Sequence, residues 1–132
     1  MGTRSLTLVY DEARQPIINM YAQWDGYPSG HGLELAEFLN SIEAVTNGIL
    51  VGEKRKTANG MGCLAAQMIA HFKTDVGSFY LYPVTAKDCG QEYEYHIYHD
   101  RVTIRFGNGE HFFTGPWSEF LNFCKNPVVT EE

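Results

Sequence analysis

Apolar positions along the chain repeat with two different periods. Ser5–Tyr10 alternates, with Leu6, Leu8 and Tyr10 on one face, and Ile17–Gln23 returns after a polar stretch closed by Pro16; the two predict an N-terminal β-hairpin. Leu35, Phe38, Leu39 and Ile42 then recur at helical spacing, with Glu34, Glu37 and Ser41 off that face, which predicts a helix over 33–44. Met61, Leu64, Ala65, Met68, Ile69 and Phe72 predict a second helix, with Asn59 or Thr57 available as N-cap. From Gly77 the period returns to two. Phe79–Val84 reads as a strand at an edge or an end because of Pro83. Glu92–Tyr98 and Arg101–Phe106 read as a hairpin about His99-Asp100. That register pairs Ile97 with Val102, Tyr95 with Ile104 and Tyr93 with Phe106, and sets Glu94 opposite Arg105 on the other face. Asn108-Gly109 turns the chain into Glu110–Thr114, and Pro116 opens a short helix with Trp117, Phe120, Leu121 and Cys124 on its apolar side. Residues 45–57, with Asn47-Gly48, Ile49-Leu50-Val51 and Lys54-Arg55-Lys56, carry no clear period.

The fold expected is α+β. An antiparallel sheet, made of the N-terminal hairpin and a C-terminal meander, packs with two main helices and a short C-terminal helix. At 132 residues this is a single domain, 1–132, with 127–132 as a loose tail. A composition 44% hydrophobic and 20% charged excludes a disordered chain. The net charge of −6 argues against bulk nucleic acid or an anionic membrane as partner. Three well-separated cysteines without a CxxC pair argue against a disulfide scaffold or zinc ribbon, and no stretch reads as a signal peptide or membrane span. A reducing cytoplasm is the expected compartment. Eight tyrosines and eight phenylalanines are many for this length, and their excess points to a homo-oligomer.

Several blocks taken together resemble a family of small uncharacterised proteins of bacteria and their phages. They are Gly2-Thr3-Arg4-Ser5-Leu6, residues 23–32 (QWDGYPSGHG), residues 59–67 (NGMGCLAAQ), His71-Phe72-Lys73, Tyr80-Leu81-Tyr82-Pro83, Asp88-Cys89-Gly90 and Glu92-Tyr93-Glu94-Tyr95. The resemblance implies a microbial and often viral setting, in which small proteins that bind or destroy nucleotide signals are common. It implies no particular chemistry.

Two segments carry candidate binding chemistry. In the loop Trp24–Gly32, Trp24 and Tyr27 offer flat faces for a base, Asp25 can meet its polar edge, and Ser29 and His31 lie where a helix start would favour an anion. The alternative is a structural loop whose aromatics plug the core. Lys54, Arg55 and Lys56 run into Asn59 and a glycine-rich helix start that lacks the P-loop Lys-Ser/Thr, so cations and helix dipole could converge on a phosphate, with Arg4 as a further clamp. The alternative is a solvated basic loop. For catalysis, Cys63 in the first turn of the second helix would need His31 as base and Asp25 as orienter; a small buried cysteine is the plainer reading. His96 and His99 lack a third convergent ligand, so neither a metal nor a cofactor is assigned. The resulting expectation is a phage-encoded protein that binds a nucleotide-like anion and acts by sequestering a host signalling or metabolic nucleotide. A hydrolase or transferase using Cys63 or His31 with Asp25, and an inhibitor that binds a host protein through the aromatic loop, are the alternatives.

Overall fold

Strand β1 (Ser5–Tyr10) is the hub of the sheet, and its alternation is filled on both faces. Leu6 and Leu8 look to one side; Ser5, Thr7 and Val9 look to the other, and all five are buried. The computed structural model describes residues 2–48, 52 and 56–127. Six strands form one sheet in the order β5-β2-β1-β6-β7-β8. They are β1, β2 (Pro16–Ala22), β5 (Phe79–Tyr82), β6 (Tyr93–Ile97), β7 (Val102–Phe106) and β8 (His111–Gly115). The helices α1 (Leu33–Ser41), α2 (Gly60–Phe72) and α3 (Trp117–Lys125) bury Leu35, Leu39, Met61, Leu64, Met68 and Phe120 against Val9, Tyr95, Ile97, Val102 and Ile104 on one face. On the opposite face the connector from β5 to β6 crosses the sheet, and Cys89 packs on Leu6, Leu8 and Tyr21.

The α+β architecture is as expected, and so is the β6–β7 register. Ile97 faces Val102, Tyr95 faces Ile104, Tyr93 faces Phe106 and Glu94 faces Arg105. Three features differ. The sheet is mostly antiparallel, but β1 and β6 run parallel, with Leu6 beside Glu94 and Leu8 beside His96. Strand β5 leaves the meander and joins β2 at the far edge. Helix α1 stops at Ser41 rather than Ala44, because Ile42 turns extended and Ala44–Thr46 becomes β3, paired in parallel with β4 (Thr57–Asn59) in a small second sheet. Residues 128–132 of the expected tail lie outside the described residues. Among the described residues no helix is long and apolar enough to cross a membrane.

Candidate functional site

Between Ala22 and α1 the chain makes a five-residue π-helical turn, Pro28–Gly32, and this turn decides what the glycine loop can do. Pro28 fixes the first helical position after an extended Tyr27, while Gly30 adopts φ −101°, ψ −108°, a kink inside the turn. The kink aims the backbone donors inward. Gly30 and Gly32 N–H bond to Tyr27 O, His31 N–H bonds to Asp25 O at 2.7 Å, and Gly26 N–H bonds to Thr3 O. Those donors are therefore spent, and the anion site expected at this helix start does not form from them. Asp25 serves through its backbone, at φ +56°, and its side chain is exposed. Trp24 is half exposed, against Gly2, and Tyr27 is exposed against Gly30, so neither plugs the core. Ser29 is exposed.

His31 takes the other course. The turn drives its ring inside, where it is 2% exposed, edge-on to Phe72 at 4.9 Å and beside Phe79 at 5.2 Å. Nδ1 lies 3.5 Å from Glu34 Oε1, and the bond and charge of His31 hold the Glu34 carboxyl below its ordinary range. Among the described residues Nε2 is buried without a partner. A buried polar atom left unpaired costs about 1–3 kcal/mol, so the fold retains this histidine at a loss.

Outside this wall, a groove of about 580 Å³ runs between α1 and the end of α2. Phe38, Phe72 and Phe79 line its floor, and Glu34, Glu37, Ser41, Lys56, His71 and Thr74 line its rim. Lys56 Nζ donates to Ser41 Oγ at 3.3 Å and stands 5.7 Å from the centre of the Phe38 ring; His71 lies over the same ring at 5.0 Å. Lys56 and the buried His31 are the two expected site residues that this region brings together. The rim carboxylates were legible only as the polar stripe 34, 37, 41 of α1.

The remaining candidates are dispersed. Asn59 borders a separate hollow of about 730 Å³ with Glu12, Thr46 and Trp117, and its side chain is used to accept Gly48 N–H at 2.7 Å. Asn59 occupies the N-cap position of α2 without capping it. The capping bond comes from Glu12, whose Oε2 accepts Met61 N–H at 2.8 Å, so an internal carboxylate holds the place proposed for a phosphate. Lys54 and Arg55 lie outside the described residues. Arg4 is engaged by Glu92, through its N–H at 2.7 Å and its guanidinium at 3.3 Å. Cys63 Sγ sits 3.6 Å from Gln67 Oε1 in the first turn of α2, whereas His31 touches Phe72 in the last. Nine residues of helix separate the two turns by about 13 Å, so Cys63, His31 and Asp25 do not assemble as a catalytic group.

One cluster escaped the sequence reading. His96 is bonded on both sides: Nδ1 to Tyr10 Oη at 2.6 Å and Nε2 to Glu94 Oε1 at 3.0 Å. Gln91 Nε2 donates to the other Glu94 oxygen at 2.9 Å, and Arg105, the cross-strand neighbour expected as partner, donates instead to Gly109 O. The parallel β1–β6 pairing creates the cluster, and no local spacing announces it. Burial alone would raise the Glu94 carboxyl, but the bonds from His96 and Gln91 outweigh it and hold the group below its ordinary range. A carboxyl depressed in the folded state contributes stability above the usual carboxylate range and loses it as pH falls through that range. Glu94→Gln should therefore cost about 1–2 kcal/mol at neutral pH and flatten the acid limb of the stability curve, read from urea midpoints across the acid range. An acid limb identical to that of the parent chain would contradict this.

Comparison of the chain with protein-family models, with curated proteins and with solved structures gives no match in any of the three.

Proposed function

We propose that the α1–α2 groove binds a small nucleotide-like molecule and holds it without turning it over. The observation that carries this reading is a drug-sized groove with an aromatic floor and charges of both signs on its rim, backed by a buried histidine with an unpaired nitrogen. A flat heterocycle would lie on Phe38 and Phe72. Its amino edge would meet the carboxylates of Glu34 and Glu37, and its phosphate would meet Lys56, which keeps donors beyond its bond to Ser41. A plain anion fits less well than a ligand with donors at one end, because two carboxylates share the rim with one described cation. In this reading Trp24, Tyr27 and Arg4 stand apart from the ligand. Sequestration is favoured over turnover because Cys63 lies at the far end of α2 and the His31 ring sits behind Phe72 and Phe79. The resemblance to proteins of bacteria and their phages supplies a setting in which removing a host nucleotide is useful.

The test is titration calorimetry against a panel of mononucleotides and cyclic nucleotides, with mass spectrometry of the recovered ligand. The parent chain should bind at least one member at micromolar concentration and return it intact. Lys56→Ala and Glu37→Gln, both at exposed positions, should each weaken binding about tenfold, equivalent to about 1.4 kcal/mol, with little change in Tm. Silence across the panel, or two variants that bind like the parent, would end the proposal.

A further inference from the structure

Every large apolar side chain that stands exposed among the described residues lies on β2, on β5 or on the loops leaving their ends. These are Ile17, Trp24, Tyr27, Val76 and the run Tyr80, Leu81, Tyr82. Val76, Tyr80, Leu81 and Tyr82 lie on β5 or on the turn just before it, so the outer edge of the strand is flanked by apolar surface. Strand β5 is an edge of the sheet and carries no charged residue. From these facts and the hydrogen bonding below we infer that β5 is a homodimer interface, in which Leu81 pairs with Leu81 of the partner subunit across a two-fold axis.

The backbone specifies this register. Gln23 N–H donates to Ser78 O, so in the antiparallel β2–β5 ladder Ser78, Tyr80 and Tyr82 bond inward, while Phe79 and Leu81 turn their backbone groups away from β2. Phe79 is already satisfied. Its N–H bonds to Gly77 O, and its carbonyl accepts Lys73 Nζ at 2.8 Å. Among the described residues the N–H and C=O of Leu81 have no partner on this edge. Two copies joined at Leu81 exchange two hydrogen bonds there. The same register sets Phe79 against Pro83 of the partner subunit, which has no N–H to give, and the carbonyl thus deprived is the one that Lys73 fills. A shift of two residues would instead aim the open N–H of the partner's Leu81 at that occupied carbonyl.

Side chains agree with the backbone. Tyr80 would lie opposite Tyr82 of the partner subunit, extending the stack in which Tyr82 and Tyr21 sit 5.1 Å apart. On the helix side, an apolar cleft of about 200 Å³ lined by Met20, Ile69, Phe79 and Leu81 would receive the partner's Leu81. The result is one twelve-stranded sheet.

Sedimentation equilibrium at micromolar concentration should give twice the monomer mass for the parent chain. Leu81→Pro removes the outward N–H, which β2 does not use, together with the side chain that enters the partner's cleft, and Leu81→Asp sets like charges across the axis; both should give monomers with unchanged circular dichroism. Leu81→Cys should close a disulfide between copies under mild oxidation, because residues in a hydrogen-bonded antiparallel pair have Cα atoms about 5.5 Å apart, within disulfide reach. Tyr80→Cys alone should not, since its partner is Tyr82. A monomeric parent chain would overturn the inference, as would a dimer that survives both Leu81→Pro and Leu81→Asp or that leaves Leu81→Cys uncrosslinked.

Discussion

Gly32→Ala should lower Tm by roughly 10 °C, whereas Gly62→Ala, the same change on another helix, should raise it by a few degrees. Both glycines have helical backbone, where alanine is favoured by up to about 1 kcal/mol. Their surroundings decide the sign. Beyond its own stretch of helix, a Cβ on Gly62 meets no atom of the described residues within 4 Å. A Cβ on Gly32 would stand 2.7 Å from Tyr95 Oη and 3.1 Å from its ring. Tyr95 cannot yield cheaply: it is fully buried, its ring is 6.2 Å from that of Phe120, and its hydroxyl donates to Gly26 O at 2.7 Å. That bond ties the glycine loop to the middle of the sheet. Overpacking at about 1–3 kcal/mol, together with strain on a buried hydrogen bond, exceeds the propensity gain and leaves a net loss of about 2–3 kcal/mol. Thermal unfolding followed by circular dichroism reads both variants. Equal shifts for the two would mean that Tyr95 moves aside and that the strut contributes little.

The tie between Tyr95 and Gly26 also marks the limit of what the amino-acid pattern made legible. The β6–β7 hairpin was readable because apolar pairs and the Glu94–Arg105 pair demanded one register through a two-residue turn. The small β3–β4 sheet was not. Each strand is three residues long, below any usable period; Ala44 closes the run that predicts a helix, and residues 45–57 carry no clear period. The parallel β1–β6 pairing joins residues 88 apart in the chain, Leu6 with Glu94, and hydrophobic periodicity says nothing about which strands become neighbours. The same blindness hid the Tyr10–His96–Glu94 cluster, which exists only because those two strands meet. At the site, the unusual loop was visible from its glycines and aromatics. Its use was not, since one kink at Gly30 turns the donors inward and sends His31 into the interior.

His31→Ala should cost about 2–4 kcal/mol, while His31→Leu should leave the protein as stable as the parent or more so. Alanine opens a void between Phe72 and Phe79, and the loss follows from cavity formation. Leucine fills much of the same space with apolar atoms that suit the two phenyl rings. It also removes Nε2, the buried nitrogen without a partner, and thereby recovers a desolvation cost of about 1–3 kcal/mol. What leucine gives up is the contact with Glu34, a 3.5 Å bond to a side chain 63% exposed, and such a contact contributes little to stability. Its effect falls on the groove. Without Nδ1 to orient it, the Glu34 carboxylate leaves its place on the rim, and affinity for the nucleotide-like ligand should drop about fivefold as Tm holds or rises. Opposite movements of Tm and affinity are what a residue kept for binding at the expense of stability produces. A fall in Tm as large as that of His31→Ala would show instead that the imidazole is satisfied inside the fold, and that His31 serves the core rather than the groove.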